Sequence, residues 1–148
     1  MNYRPESNET YALYNTALLY YHGNGVLKNL EIARRDFLQA AKDGMREAQT
    51  ILGCMLMRGD GGYQDLAEGF EWLFRSAKQG DPEGQFHLGT AYDLGIGIDE
   101  NTEQAIYWFS LSAQQGLTEA MLRLGCVYHR EGDNDPNNIK RARDWWLK

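Results

Sequence analysis

The 148-residue sequence has only two cysteines, only three prolines, few clustered basic residues and no long hydrophobic run. The scarcity of proline, together with plentiful aromatic residues, argues against a disordered chain. No apolar run approaches the roughly 18 residues that a membrane-spanning helix needs. A formal net charge of −6 leaves too few clustered Lys and Arg residues to neutralise nucleic-acid phosphates. We therefore expect an ordered protein without membrane insertion and without a nucleic-acid partner.

The sequence does contain an internal repeat of 36 residues, seen first in its glycines. Pairs of glycines occur at positions 23 and 25, 59 and 61, and 95 and 97. The last pair resembles the start of a dinucleotide-binding loop, but Glu100 stands where that loop needs another glycine. Self-similarity at this spacing instead predicts a solenoid. Its repeats are residues 9–44, 45–80, 81–116 and an incomplete 117–148.

Each repeat has the pattern of two helices, A and B, joined by a glycine-containing turn. Helix A carries a small residue at one position, where a glycine costs about 1 kcal/mol relative to Ala and therefore indicates close helix contact. These small residues are Ala17, Gly53, Gly89 and Gly125. The leucines before the three glycines, Leu52, Leu88 and Leu124, are expected in the core. Beside the turn glycines, Val26 and Ile98 are expected to pack beneath the turn.

Helix B has sequence signals at both ends. It begins at a residue type that is preferred at N-caps, namely Asn29, Asp65, Asn101 and, after a one-residue insertion, Asn138. In three repeats it is followed by a glycine that can adopt the left-handed conformation, namely Gly44, Gly80 and Gly116. The regularity of these signals predicts helix-turn-helix units stacked in series.

The repeated positions resemble the Sel1-like repeat, a relative of the tetratricopeptide repeat. Residues 84–116 carry the pattern best, with Leu88-Gly89, Tyr92, Gly95-Ile96-Gly97, Asn101, Ala105, Trp108-Phe109, Ala113 and Gly116. The resemblance covers nearly the whole chain, which we interpret as a single domain over residues 1–148. It implies an all-α, right-handed superhelical αα-solenoid. Members of this family typically act as adaptors or scaffolds, in signalling and in bacterial host interaction.

The first and last repeats depart from the pattern. Thr16 and Asp36 replace the Leu and Trp of later repeats, which suits an N-terminal cap whose outer side is solvated. In the fourth repeat acidic residues replace the turn glycines, and Trp145 and Trp146 come without a following repeat to cover them. We therefore expect a fragment of a longer solenoid that can self-associate through this uncapped end.

The expected compartment is the cytoplasm. The first residues, MNYRPESNE, lack the basic and then apolar pattern of a secretory signal. Cys54 and Cys126 are 72 residues, or two repeats, apart. Stacked helices would place them about 20 Å from each other, too far for a disulfide. We therefore predict two free and mostly buried thiols, as a reducing compartment allows.

No catalytic, cofactor or metal site is expected. His22 and His129 lie three repeats apart, about 30 Å by helix spacing, and His87 belongs to another turn of helix. Neither a nucleophile–base pair nor a zinc site is therefore readable. The stretch at residues 133–137 resembles the first calcium ligands of an EF-hand, but Pro136 interrupts it, and we interpret it as a polar turn.

Surface residues of the A helices remain as candidates for binding. If the repeats stack as the resemblance implies, one side of each A helix lines a concave groove, whose residues differ between repeats. Aromatic residues mixed with acids and arginines suit an extended peptide or a partner helix. The predicted groove residues are Tyr11, Tyr14, Tyr21, His22, Glu47, Arg58, Glu83, Phe86, Asp93, Glu119, His129 and Arg130.

The function predicted from the sequence is therefore a non-catalytic module that binds a protein or peptide partner. One alternative is a β-lactam-binding or β-lactam-hydrolysing enzyme, because relatives with paired cysteines in every repeat have been linked to that activity. The present sequence lacks those pairs. A second alternative is a self-assembling structural protein.

Overall fold

The computed structural model describes residues 7–131 and 136–146, which form eight α-helices and contain no β-strand. Helices α1, α3, α5 and α7 are the A helices of the four repeats, and α2, α4, α6 and α8 are the B helices. Each helix packs against the next one along the chain, and α3 also contacts α5. The all-α prediction is confirmed. The bounds are α1 Asn8–His22, α2 Leu30–Lys42, α3 Arg46–Arg58, α4 Leu66–Lys78, α5 Pro82–Leu94, α6 Thr102–Gln114, α7 Thr118–Glu131 and α8 Pro136–Trp146.

The starts of the B helices follow their predicted caps in the first three repeats. The side chains of Asn29, Asp65 and Asn101 each accept a hydrogen bond from the backbone N–H three residues further on. The prediction for Asn138 is wrong, because α8 begins at Pro136 and Asn138 lies inside its first turn. Proline has the φ angle that the first helical turn requires, so the helix begins there.

The interior of each hairpin depends on the predicted small residues. A Cβ atom at Gly53 would lie 2.8 Å from Cγ of Leu73, and one at Gly89 would lie 2.7 Å from Cδ1 of Phe109. Real Cβ atoms do not approach other side chains so closely, so these glycines permit the observed helix spacing. In the first hairpin Ala17 is fully buried at the same position. The core prediction for three leucines is also confirmed, since Leu52, Leu88 and Leu124 are at most 1% exposed.

The first repeat has one solvated and one buried departure from the pattern. Thr16 is exposed, as predicted for the outer side of an N-terminal cap. Asp36 is instead buried, with 5% of its surface exposed, so the prediction of a solvated side chain at this position is wrong. Its Oδ1 atom lies 2.8 Å from Nε of Arg35, and this charged hydrogen bond compensates for the loss of water.

The turns between helices A and B also differ from expectation in one respect. Val26 is half-buried, in line with the prediction, but Ile98 is exposed. Ile96, between two glycines with positive φ, is the residue that packs against the core around Phe70 and Trp108. The turn thus directs Ile96 towards the core and leaves Ile98 exposed to solvent.

A pair of glutamines recurs where one repeat meets the next. Gln49 of α3 donates to the carbonyl of Ala41 at the end of α2, and its own Oε1 atom accepts from Gln79 at 2.8 Å. One repeat later, Gln85 and Gln115 make the equivalent bonds. These side chains satisfy carbonyl groups that a helix end leaves without an intrahelical partner. The same polar contact therefore fixes two successive junctions.

Candidate functional site

An open depression lies on the face that the A helices of the first three repeats form. Its volume is about 320 Å3 and its surface is mainly apolar. We call it the A-helix groove. It is lined by Leu18, Tyr21 and His22 of α1, by Thr50, Ile51, Cys54 and Arg58 of α3, and by Glu83 and His87 of α5.

Four of the twelve predicted groove residues come together in this depression. Tyr21 and His22 lie on one side, Arg58 beside them, and Glu83 on the next A helix. The guanidinium of Arg58 donates to the hydroxyl of Tyr21 at 3.0 Å and to Asp60 at 2.7 Å. These bonds hold Arg58 at the edge of the groove, with about half of its side chain exposed.

Two predicted aromatic residues belong partly to the core. Tyr14 is half-buried, and its ring lies edge-on to Phe37 at a centroid distance of 5.8 Å. Phe86 is half-buried against Phe109, at 5.9 Å. Burial raises the pKa of Tyr14, and the nearby carboxylate of Glu47 raises that pKa further. Both aromatic residues support the A helices from below and are not members of the depression.

The remaining predicted residues lie outside the depression. Asp93 is only 5% exposed, and its carboxylate accepts a hydrogen bond of 2.6 Å from Arg130 of the following repeat. This pair joins two repeats and removes Asp93 from the accessible surface. Tyr11, Glu119 and His129 are exposed on α1 and α7, and Glu47 is partly exposed beside Arg46 on α3.

Five of the nine residues that line the groove are not among the twelve predicted ones, namely Leu18, Thr50, Ile51, Cys54 and His87. Leu18, Thr50 and Cys54 lie on the face expected from the repeat, whereas Ile51 follows Thr50 by one residue and His87 follows Phe86 by one residue. A helix turns by about 100° per residue, so a neighbour can share the edge of an exposed face. The exposed face of the A helices is therefore one position wider than predicted on both α3 and α5.

Two ionisable side chains on the floor of the groove are held in neutral forms. Burial raises the pKa of the Cys54 thiol to about 11, so this cysteine is protonated near neutral pH. Burial also lowers the pKa of His87, and the positive charge of Arg58 lowers it further. The two groups therefore add neutral surface to the floor, and Cys54 lacks the thiolate character that a nucleophile requires.

The two thiols have different environments although they occupy equivalent repeat positions. Both are free, as predicted. Cys54 is half-buried in the groove between α1 and α5, whereas Cys126 is exposed on α7, so the prediction of a mostly buried thiol is wrong there. Cys54 lies between the A helices α1 and α5, and no A helix follows α7 within the described residues.

A polar network fixes the floor of the groove at Thr50. Its hydroxyl donates to the buried carboxylate of Asp81 at 2.7 Å and lies 2.7 Å from the hydroxyl of Ser76. Ser76 donates to the carbonyl of Arg46, and Asp81 caps α5 by accepting from the N–H of Gly84. Three helices thus meet at one hydrogen-bonded point. The floor is consequently preformed rather than assembled on binding.

No group of three or more His, Cys, Asp or Glu side chains within residues 7–131 and 136–146 is arranged to hold a metal ion. Two of the EF-hand-like acidic positions, Asp133 and Asp135, lie outside the described residues. In the described part of the chain, no helix has both the length and the apolar character needed to cross a bilayer.

Comparison with known structures finds close similarity over almost the whole chain. The structure of c5321, a protective antigen present in uropathogenic Escherichia coli strains and displaying an SLR fold, is 33% identical with a TM-score of 0.85, over 93% of this chain and 30% of that one. A Sel1 repeat protein from Oxalobacter formigenes is 29% identical with a TM-score of 0.83, over 98% of this chain and 60% of that one. The chain thus spans less than two thirds of either relative.

Sequence comparison points to the same class of protein. No curated protein matches the chain. The Sel1 repeat profile, however, matches four times, at residues 10–45, 46–81, 82–117 and 118–148. The Sel1 repeat solenoid is generally a protein-interaction module. With four matches that together cover most of its length, the chain belongs to the Sel1 repeat family.

Proposed function

We propose that the chain is a non-catalytic binding module that holds a protein or peptide partner in the A-helix groove. The observation that carries this proposal is the convergence of three A helices on one mainly apolar depression of about 320 Å3. Each helix contributes side chains from a different repeat. A partner lying along the solenoid would therefore contact several repeats at once.

The residue types in the groove support recognition of a protein surface. Tyr and Arg are enriched among residues that dominate binding energies, and here Tyr21 and Arg58 are hydrogen-bonded to each other. The floor between them and Glu83 is apolar, with neutral Cys54 and His87. Burying such a floor brings the hydrophobic gain without the cost of removing charges from water.

Affinity capture from the native cell extract, followed by calorimetry with the captured partner, tests the proposal. The double variant His22→Ala/Arg58→Ala removes two side chains from the edge of the groove without touching the core. Ile51→Lys places a charge on the floor. We expect each variant to weaken partner binding by about tenfold or more while the helical circular dichroism is retained.

The matched control is Arg75→Ala/Lys78→Ala, which removes two exposed cations from helix B of the second repeat. This variant should bind the partner as the unmodified chain does. The proposal fails if both groove variants keep full affinity, or if the control loses as much affinity as they do.

Self-association through the C-terminal end is a separate proposal. It rests on Trp145, which is half-buried on α8 and packs at the edge of the core cluster that contains Phe109. Light scattering at several protein concentrations tests it. A mass that stays at one chain up to high concentration excludes self-association by any surface.

A further inference from the structure

The width of the A-helix groove limits what can lie in it. Glu47 and Arg58 stand near opposite ends of α3, eleven residues apart. At a rise of 1.5 Å per residue, these two side chains, one beyond the depression and one on its rim, are about 16 Å apart along the helix axis. An α-helix with its side chains is about 10–12 Å in diameter. A helix along the solenoid axis therefore fits between Glu47 and Arg58 and leaves room for charged side chains to reach them.

A row of glutamates at equivalent positions of three A helices passes through the groove at Glu83 and continues beyond it at Glu47 and Glu119. We call Glu47, Glu83 and Glu119 the acidic edge. Glu83 lines the groove itself. Burial raises the pKa of Glu83, and the negative charges of Glu119 and Asp81 raise it further. Among the described residues, neither Glu83 nor Glu119 has an ion pair with a cation.

The opposite edge is cationic, but its charges already have partners within the chain. Arg58 pairs with Asp60 at 2.7 Å, and Arg130 pairs with Asp93 at 2.6 Å. Among the described residues of these two rows, the charges of Glu83 and Glu119 are the ones without an ion pair. An incoming cation can therefore pair with them. Glu47 is a weaker member, because Nε of Arg46 lies 3.1 Å from its carboxylate.

We propose, on the basis of the function proposed above, that the partner segment is an amphipathic α-helix with an apolar stripe and a flank of Lys or Arg. The apolar stripe contacts the groove floor around Ile51 and Cys54. The basic flank lies against the acidic edge. Packed helices are about 8–10 Å apart, which corresponds to about five to seven residues at a rise of 1.5 Å per residue. A spacing of about seven residues also keeps the cations on one face of the partner helix, so that they meet successive glutamates.

Fluorescence anisotropy with synthetic, labelled peptides tests the proposal on the full chain. The probe is a capped peptide of about 20 residues with a leucine stripe and Lys at every seventh position of one flank. Two companions have Gln or Glu in place of the Lys residues. A third keeps the Lys residues but has two central prolines, which prevent the helix.

The expected result is preference for the helical Lys peptide, with affinity that falls as salt rises from about 50 to about 300 mM. Glu83→Gln/Glu119→Gln should weaken its binding by about five- to tenfold, the effect of losing two partly exposed ion pairs. Glu31→Gln/Glu71→Gln changes the net charge equally but on exposed positions of helices B, and should leave binding unchanged.

The other outcomes separate this proposal from the broader one. Equal binding of the Lys, Gln and Glu peptides, abolished by Ile51→Lys, overturns the basic partner and keeps the groove. Equal binding of the proline peptide overturns the helix and keeps the groove. Binding that neither Ile51→Lys nor Glu83→Gln/Glu119→Gln changes places the peptide elsewhere, and overturns both. If no peptide binds, the basic helix is overturned, and the capture experiment decides the groove.

Discussion

The hairpin interiors and the junction between the second and third repeats are held together by different kinds of contact. Inside the hairpins, Gly53 faces Leu73 and Gly89 faces Phe109, with no space for even one further carbon atom. At the junction, small polar side chains meet, and Thr50 is hydrogen-bonded to Asp81. The first region depends on shape, and the second depends on hydrogen bonds.

The junctions differ from one another more than the hairpins do. Where the second junction has Thr50, Ser76 and Asp81, the equivalent positions hold Tyr14, Ala40 and Met45 before it, and Phe86, Ser112 and Leu117 after it. The first three hairpins keep a small residue, Ala17, Gly53 or Gly89, opposite a large one. A hairpin must satisfy one geometry, whereas a junction can be closed by apolar or polar groups, and its residues also shape the groove.

The largest expected effect is the loss of a hairpin interior. Gly89→Val should destabilise the fold by about 3 kcal/mol, because its side chain overlaps the ring of Phe109. Urea denaturation followed by circular dichroism measures the change. Asp99→Ala, in the exposed turn of the same repeat, should alter stability by less than about 0.5 kcal/mol. Equal stability of the two variants would contradict the packing of α5 on α6.

A smaller effect is expected at the polar junction. Asp81→Ala removes an N-cap and also leaves the buried hydroxyl of Thr50 without its acceptor, for about 2 kcal/mol in total. Asp65→Ala removes a cap at an exposed position and should cost about 1 kcal/mol. The difference between the two denaturation midpoints isolates the junction. If Asp65→Ala costs as much as Asp81→Ala, the network adds nothing beyond capping.

The smallest effect concerns pH and the groove. The pKa of His87 is lowered in the folded chain by burial and by Arg58, so the unfolded chain binds a proton more readily. Stability should therefore fall as the pH decreases below the ordinary value of 6.5 for histidine. His87→Gln should flatten this part of the profile. Urea titrations between about pH 7.5 and about pH 5.5 check it; identical slopes for both proteins contradict the assignment.

Features that repeat along the sequence could be predicted, because each copy supports the others. The glycine positions, the buried leucines and three of four B-helix caps belong to this class. Features that occur once could not be predicted in this way, because no second copy supports them. Asn138 was placed by analogy with the other caps, but the insertion before it allows Pro136 to begin the helix. Asp36 is predicted to be solvated because it suits an N-terminal cap, but its contact with Arg35, which has no counterpart in the other repeats, allows its burial.

The groove could be predicted as a face, but the full extent of its floor could not, since Ile51 and His87 were missed. Tyr21, His22, Arg58 and Glu83 follow from the repeat alone. Asp93 is predicted to be accessible but is buried beneath Arg130 of the next repeat. The two residues are 37 positions apart, so the sequence near Asp93 does not indicate this contact. Pairing across repeats depends on the side chain that the next repeat supplies, and the position within a repeat does not reveal it.

The recurring glutamine pairs allow the number of repeats to change while the contact between neighbouring repeats is kept. Each pair uses residues from one repeat and carbonyl groups from the one before it, so the second and third repeats each bring their own means of attachment. Duplication of a coding segment the size of one repeat would add a repeat without new contacts having to evolve. A longer or shorter recognition surface is thus available to this fold in single genetic steps.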